Sequence, residues 1–188
     1  LGTLYYWHSY REITSEYVIV ATDVGERASV TLPDGSTVSL NSQSELKYQL
    51  KDFHSARHQV YFEGEGYFKI SRQSGGTFDV NGSDHRIRVL GTTFNLNSYA
   101  DSAHVVITLE EGKVDFLSLK CGNCVQMKAG ESAVLDRATG MIITMAGDTA
   151  GGAAAWKRGE VLLRHVSIST LFARLGDIYG VTYRLTGF

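Results

Sequence analysis

No stretch of this 188-residue chain approaches the roughly 20 consecutive apolar residues that span a bilayer, which excludes a membrane helix within it. No basic, apolar and small-residue signal peptide opens the chain either. Charge of one sign is lacking too: 18 Lys and Arg against 20 Asp and Glu leave −2, and the basic residues are scattered without a stripe. Such a surface has no global field to recruit a phosphate backbone, so nucleic acid is excluded as a partner. Proline occurs once against twenty glycines, and ten Tyr and eight Phe accompany them. That balance argues against an all-helical protein and for short strands joined by tight turns. Cysteine is limited to two residues, and 43% hydrophobic content in one domain's length is enough to build an apolar core.

What is present begins with a hairpin. Val30 and Leu32 alternate before Pro33-Asp34-Gly35, and Val38 and Leu40 alternate after it, so all four share one buried face. Pro33 presets the turn angle and Gly35 supplies a positive-φ position. Leu46, Tyr48 and Leu50 follow. In Val60–Ile70 the residues Val60, Phe62, Gly64, Gly66, Phe68 and Ile70 fall on one face. Glycines on an apolar strand face imply a close backbone, a bulky ring or a bend, and hence a sharply curved sheet. Phe78/Val80, Ile87/Val89, Thr93–Leu96, Val105–Leu109, Val114–Phe116 and Ser132–Leu135 continue the series, with alternation slipping at Leu90-Gly91, where a bulge is expected. A rhythm of roughly 8–12 residues per strand and turn fits a sandwich, a jelly roll or a β-solenoid. No strict repeat singles out the solenoid.

After Met145 the chain turns small and flexible through Ala155, as a linker does. Glu160–Leu163 then reads as a strand. Ile168, Leu171, Phe172, Leu175, Ile178 and Tyr179 have helical spacing, with Ser167 as N-cap and Gly180 as C-terminal stop. Val181–Leu185 returns to strand, giving a β-α-β unit too small to bury both its faces alone. At the other end, Leu1-Gly-Thr-Leu-Tyr-Tyr-Trp7 followed by His8 and Arg11 suits either an apolar first strand or the stub of a membrane anchor.

Chemical motifs are scarce. Cys121-Gly-Asn-Cys124 has the spacing of redox and zinc motifs, but no second pair supplies four metal ligands and no helix start follows to activate a thiol. A structural hairpin pair is expected, and in an oxidising compartment a small disulfide loop. The six histidines form no ligand pattern, and His54 and His58 are expected on a solvated loop. Gly64-Glu-Gly66 lacks the third glycine and the helix of a nucleotide loop. Asn81-Gly-Ser83 matches a glycosylation pattern that is also a turn signal, and Glu63, Glu65, Glu110 and Glu111 read as solvated edges. No catalytic residue, metal ligand or cofactor site is assigned.

Five motifs in order carry a resemblance: Leu32-Pro-Asp-Gly-Ser-x-Val-x-Leu-Asn41, Gly64-Glu-Gly-Tyr-Phe68, Val89-Leu-Gly-Thr-Thr-Phe-Asn-Leu96, Leu109-Glu-Glu-Gly-Lys-Val114 and Gly130-Glu131. Together they resemble the FecR family. The tail, Trp156-x-x-Gly-Glu-x-x-Leu-x-x-Val-Ser-Ile with a later Leu-Gly-Asp-Ile-Tyr-Gly-Val, is similar to the start of a secretin/TonB short N-terminal (STN) type domain. The resemblance implies a mainly β fold, a twisted stacked-sheet solenoid or sandwich-like module followed by a small β-α-β piece. It divides the chain into a membrane-proximal segment (1–19), a β module (20–145), a linker (146–155) and an STN-like start (156–188).

The resemblance further implies the periplasmic part of a single-pass inner-membrane anti-sigma factor of a Gram-negative bacterium. Its partners would be the N-terminal signalling domain of a TonB-dependent outer-membrane transporter and, through a cytoplasmic region before Leu1, a sigma factor of the extracytoplasmic-function type. Strand addition to the β-α-β unit would use Glu160, Val161, Leu162, Leu163 and Arg164 or Val181, Thr182, Tyr183, Arg184 and Leu185. Partner binding is expected to shift the tail against the β module across Gly151-Gly152. A carbohydrate-binding β module is the alternative, and Tyr61, Phe62, Tyr67 and Phe68 on both faces of one strand weigh against its aromatic strip. A structural adhesive solenoid is third and would require a true repeat.

Overall fold

The computed structural model describes residues 16–72, 76–146, 154–158 and 160. They form a mixed, nearly closed β-sheet folded into two layers. The strands are β1 (Tyr17–Ala21), β2 (Ala28–Thr31), β3 (Thr37–Leu40), β4 (Glu45–Gln49), β5 (Arg57–Ile70), β6 (Thr77–Asn81), β7 (His85–Val89), β8 (Thr92–Ser98), β9 (His104–Glu111), β10 (Lys113–Ser118), β11 (Cys124–Lys128), β12 (Glu131–Asp136) and β13 (Ile142–Ala146). The first layer runs β1-β4-β5-β6-β7-β10-β11, and the second runs β2-β3-β5-β8-β9-β12-β13. Of the open alternatives the sequence allows, this arrangement is sandwich-like.

β5 belongs to both layers. Its first half pairs with β4 and β6, and its second half, from Gly64, pairs with β3 and β8. Gly64 has φ +106 and backs onto the Asn41–Ser44 corner, where the chain itself changes layer between β3 and β4. The fold-over explains the parallel β5–β6 pair. Parallel neighbours usually need a crossover of about a dozen residues or more, yet residues 71–76 suffice here because β5 returns on itself. Both of its ends meet the Asp34 turn: His58 Nδ1 lies 3.0 Å from Asp34 Oδ2, and the Ser71 N–H donates to Ser36 Oγ at 3.0 Å. The turn itself closes with Gly35 N–H donating to the Leu32 carbonyl (3.0 Å), Gly35 at φ +82, and the Ser36 N–H donating to Asp34 Oδ1 (2.9 Å).

Leu90-Gly91 is a change of layer rather than a bulge. β7 ends at Val89 in the first layer, and β8 begins at Thr92 in the second. The register shift lies instead between Thr93 and Phe94, where β8 meets β9. His58 also departs from expectation. It is a buried residue of β5, with its ring 5.1 Å from that of Phe53 and its Nδ1 on Asp34, because alternation carries it to the same face as Val60. His54 is exposed, as expected of a loop residue.

The core lies between the layers. Val38, Leu40, Phe68, Phe94, Leu96, Ile107 and Leu109 face Leu46, Val60, Val80, Ile87, Val114 and Phe116, all fully buried. Phe68 stacks on Phe94 at 4.9 Å and meets Phe62 edge-on at 5.0 Å. A Cβ on Gly66 would lie 2.7 Å from Phe62 Cζ, so the second glycine of the β5 face makes room for these rings. Each buried Phe contributes about 1.5–3 kcal/mol through removal from water.

Candidate functional site

The outer face of the second layer carries a connected polar network that ends in the tail. Alternation points Phe94 and Leu96 into the core and therefore Asn95 outward, yet Asn95 is buried. Trp156, in a single 3₁₀ turn over Ala155–Arg158, covers it and donates its indole Nε1–H to Asn95 Oδ1 at 2.9 Å. The Asn95 amide donates to Glu65 Oε1 (3.1 Å), and the Asn41 amide donates to Glu65 Oε2 (2.8 Å). Arg27 Nε–H donates to Asn41 Oδ1 at 3.3 Å, and the Arg27 guanidinium lies 5.8 Å from the Trp156 ring centroid.

Lys157 adds a second anchor. Its ammonium sits 3.7 Å from the centroid of the Tyr67 ring, whose hydroxyl donates to Glu110 Oε2 at 2.7 Å. Burial, and then the Glu110 carboxylate, push the Tyr67 hydroxyl well above its usual range, so it remains a donor. The cation–π contact contributes about 0.5–2 kcal/mol and the indole hydrogen bond about 1 kcal/mol. Ala154, Ala155 and Trp156 are themselves buried. In register with Asn95 lie Thr108 and Ser132, also buried on this outer face and hydrogen-bonded to each other at 3.0 Å.

Five of the partners come from five different motifs of the sequence: Asn41 closes the hairpin motif, Glu65 sits between the two glycines, Asn95 lies in the Thr-Thr-Phe-Asn run, Glu110 precedes Gly112, and Trp156 opens the tail. Sequence reading missed them as a group. The available signal was that four of the motifs place a polar residue one step off the apolar alternation.

The outer face of the first layer carries a cluster of ion pairs. Asp79 on β6 is 1% exposed and holds two arginines, Arg57 Nη2 at 2.7 Å and Arg88 Nε at 2.7 Å, from the strands on either side. Burial alone would raise its pKa, but the hydrogen bonds and charges of Arg88 and Arg57 outweigh it and hold the carboxyl below the ordinary range. Tyr17 and Tyr61, the exposed aromatics among the described residues, meet edge-on at 6.2 Å with the Lys47 ammonium 4.1 Å from the Tyr17 ring centroid.

At one end of the sandwich Asp84 joins the layers. His85 Nδ1 lies 2.9 Å from Asp84 Oδ1, and Arg137 pairs with Asp84 Oδ2 while donating to the Tyr99 carbonyl at 3.1 Å. The His85 hydrogen bond, followed by the Arg137 charge, lowers the Asp84 pKa against the effect of burial. Cys121 and Cys124 are free exposed thiols at the β10–β11 turn. Cys121 Sγ–H donates to the Gly140 carbonyl at 3.0 Å, while Cys124 stands in register with Leu117.

Of the expected partner-binding residues, Glu160 is described. It is exposed, and its carboxylate accepts from Arg158 at 2.8 Å. Val161–Arg164, Val181–Leu185, the Ile168–Tyr179 helix, the Gly151-Gly152 linker and the Leu1–Trp7 stub lie outside the described residues. Among the described residues no group of three His, Cys, Asp or Glu side chains is placed to hold a metal ion, and no helix is long and apolar enough to cross a membrane.

The family model described as FecR protein matches residues 18–115, from β1 into β10. The chain belongs to the FecR family. Two crystal structures of a protein assigned as an anti-sigma factor from Parabacteroides distasonis ATCC 8503 share its fold. The structure at 2.50 Å has a TM-score of 0.79 and 27% identity over 88% of this chain and 76% of that one. The structure at 1.65 Å has a TM-score of 0.78 and 27% identity over 87% and 75%. No curated protein matches the chain. The family and its anti-sigma-factor neighbours are regulatory rather than enzymatic, and they support a role of that kind for this chain.

Proposed function

We propose that this FecR-family chain is the signal-receiving part of its anti-sigma factor, standing in the periplasm on a single membrane anchor that precedes Leu1. It relays substrate occupancy of an outer-membrane TonB-dependent transporter to an extracytoplasmic-function sigma factor, and so regulates transcription of uptake genes for iron or glycans. The observation that carries the reading is the FecR match across residues 18–115 together with anti-sigma-factor neighbours over 88% of the chain.

The receiver in this reading is the STN-like tail from Trp156 onward, with strand addition at Glu160–Arg164 or Val181–Leu185 as the mode of contact. The Trp156 contact supports a defined starting point for that tail on the β module.

The test is calorimetric titration of this chain, and of one extended to the natural stop codon, with the N-terminal signalling domain of the neighbouring transporter. Saturable 1:1 heat supports the receiver. Heat from the extended chain alone places contact in the completed tail, and silence from both folded proteins overturns the transporter partner and sends the search to glycans.

A further inference from the structure

The Trp156 network does more than hold the tail. From Asn95 and Glu65 it continues through Asn41, whose carbonyl accepts from Thr22 Oγ1 at 2.6 Å, and Thr22 directly follows β1. The Thr22 N–H donates to the Ser44 carbonyl (3.0 Å), and Ser44 Oγ accepts from the Glu65 N–H at 2.9 Å. A line of short hydrogen bonds therefore joins the first residues of the C-terminal segment to the end of the first described strand.

The face on which Trp156 rests also matches its occupant chemically. Trp156-Lys157-Arg158 brings an indole and two cations, and the face offers Asn95 for the indole, the Tyr67 ring for the first cation, and the carboxylates of Glu65 and Glu110 around them. Lys157 and Arg158 are exposed, so the anchor rests on one buried ring and contacts at its rim. A contact of that kind can open without disturbing the core, and its two states, docked and released, form an equilibrium that a partner holding the C-terminal segment shifts.

We infer that the outer face of the second layer at Asn95 and Tyr67 is a docking site for an indole followed by a cation, filled by the chain's own Trp156 and Lys157, and that its filling and emptying transmits a C-terminal event to β1. The regulatory meaning of this switch rests on the anti-sigma reading; the switch itself does not. On release, Asn95 Oδ1 loses its donor and Glu65 opens to water. The Asn41 amide then loses its fixed acceptor, and the end of β1, held on the Asn41 carbonyl through Thr22 Oγ1, loosens with it.

Replacing Trp7 by Phe leaves Trp156 as the sole tryptophan. In that background acrylamide quenching reads docking directly, and hydrogen exchange of the Val18–Thr22 amides reads transmission. Lys157→Glu, which sets a carboxylate against Glu110 and touches no core residue, is expected to raise quenching about threefold and β1 exchange about tenfold while leaving Val134 and Leu135 amides unchanged. Asn95→Ala is expected to do the same, and Trp156→Phe, which keeps a ring and loses the N–H, to fall between.

Trp156 quenched as freely in the parent as in Lys157→Glu overturns the docking site. Freed Trp156 with β1 exchange at the parent rate overturns the transmission. Neither readout uses a sigma factor or a transporter, so a failed transporter titration and a failure here are separate results.

Discussion

Gly64 and Ser44 meet back to back where the two layers join: a Cβ on Gly64 would lie 2.6 Å from Ser44 Cα and 2.3 Å from its Oγ. One of these atoms is backbone at the corner between β3 and β4, so it cannot move aside as a flexible side chain would.

Gly64→Ala is therefore expected to lose about 3 kcal/mol or more, combining a left-handed φ with a clash against packed backbone. Gly122→Ala is the matched control, since Gly122 has φ +70 but nothing within 4 Å of the added methyl, and about 1 kcal/mol is expected there. Urea unfolding of both variants separates the backbone cost from the clash.

Asp79 gives the fold an acid-sensitive contact. Its pKa is lowered in the folded protein, so the unfolded chain binds a proton first as pH falls. Its contribution is fully present above the ordinary carboxylate pKa of about 4 and is lost as pH drops through the lower folded value. Asp79→Asn is expected to cost about 1–3 kcal/mol at pH 7 and to flatten the loss of stability as pH falls below about 4. The half-exposed Arg57 and Arg88 keep the cost below that of a fully buried pair. Thermal melts across that range check both.

Asp34→Ala removes from one turn the contacts to the Ser36 N–H and the His58 ring. The expected loss is about 1–3 kcal/mol, with His58 left buried beside Phe53 without its acceptor. His58→Phe in the Asp34→Ala background should recover part of that loss, and a double-mutant cycle measures the share that belongs to the pair.

The two thiols should be distinguishable by rate. A hydrogen bond from the Asn123 backbone, then one from Ser118, lowers the Cys121 pKa, while burial and the Asp115 charge raise that of Cys124. Limited alkylation at pH 8 is expected to label Cys121 several-fold faster, as read by peptide mass spectrometry. Equal rates would show that the Gly140 carbonyl shields the Cys121 sulfur as much as its pKa favours attack.

What the sequence made legible were local patterns. The Pro33-Asp34-Gly35 turn and the glycine face of β5 followed from alternation and backbone sterics acting within a dozen residues. The layer change at Leu90-Gly91 looked like a bulge, because a break in alternation is the same whether the chain rejoins its own strand or leaves for another sheet. The burial of Asp79 needs the register of three strands, since its shelter is two arginines that are 22 and 9 positions away. Trp156 and Asn95 are 61 positions apart, beyond the reach of any local pattern. Asn41, Glu65 and Asn95 were each quoted in a motif, and only the fold shows that they touch.

β5 also dictates an order of assembly. Before it emerges from the ribosome, β1 can find only β4 and β2 only β3, two unconnected ribbons too small to persist alone. β5 stitches them together in one stroke, and in doing so presents two fresh unpaired flanks, one awaiting β6 and the other β8. A nascent chain halted between Ile70 and Thr92 would hold its longest strand with at least one flank bare, the interval in which a neighbouring chain is best placed to pair with it.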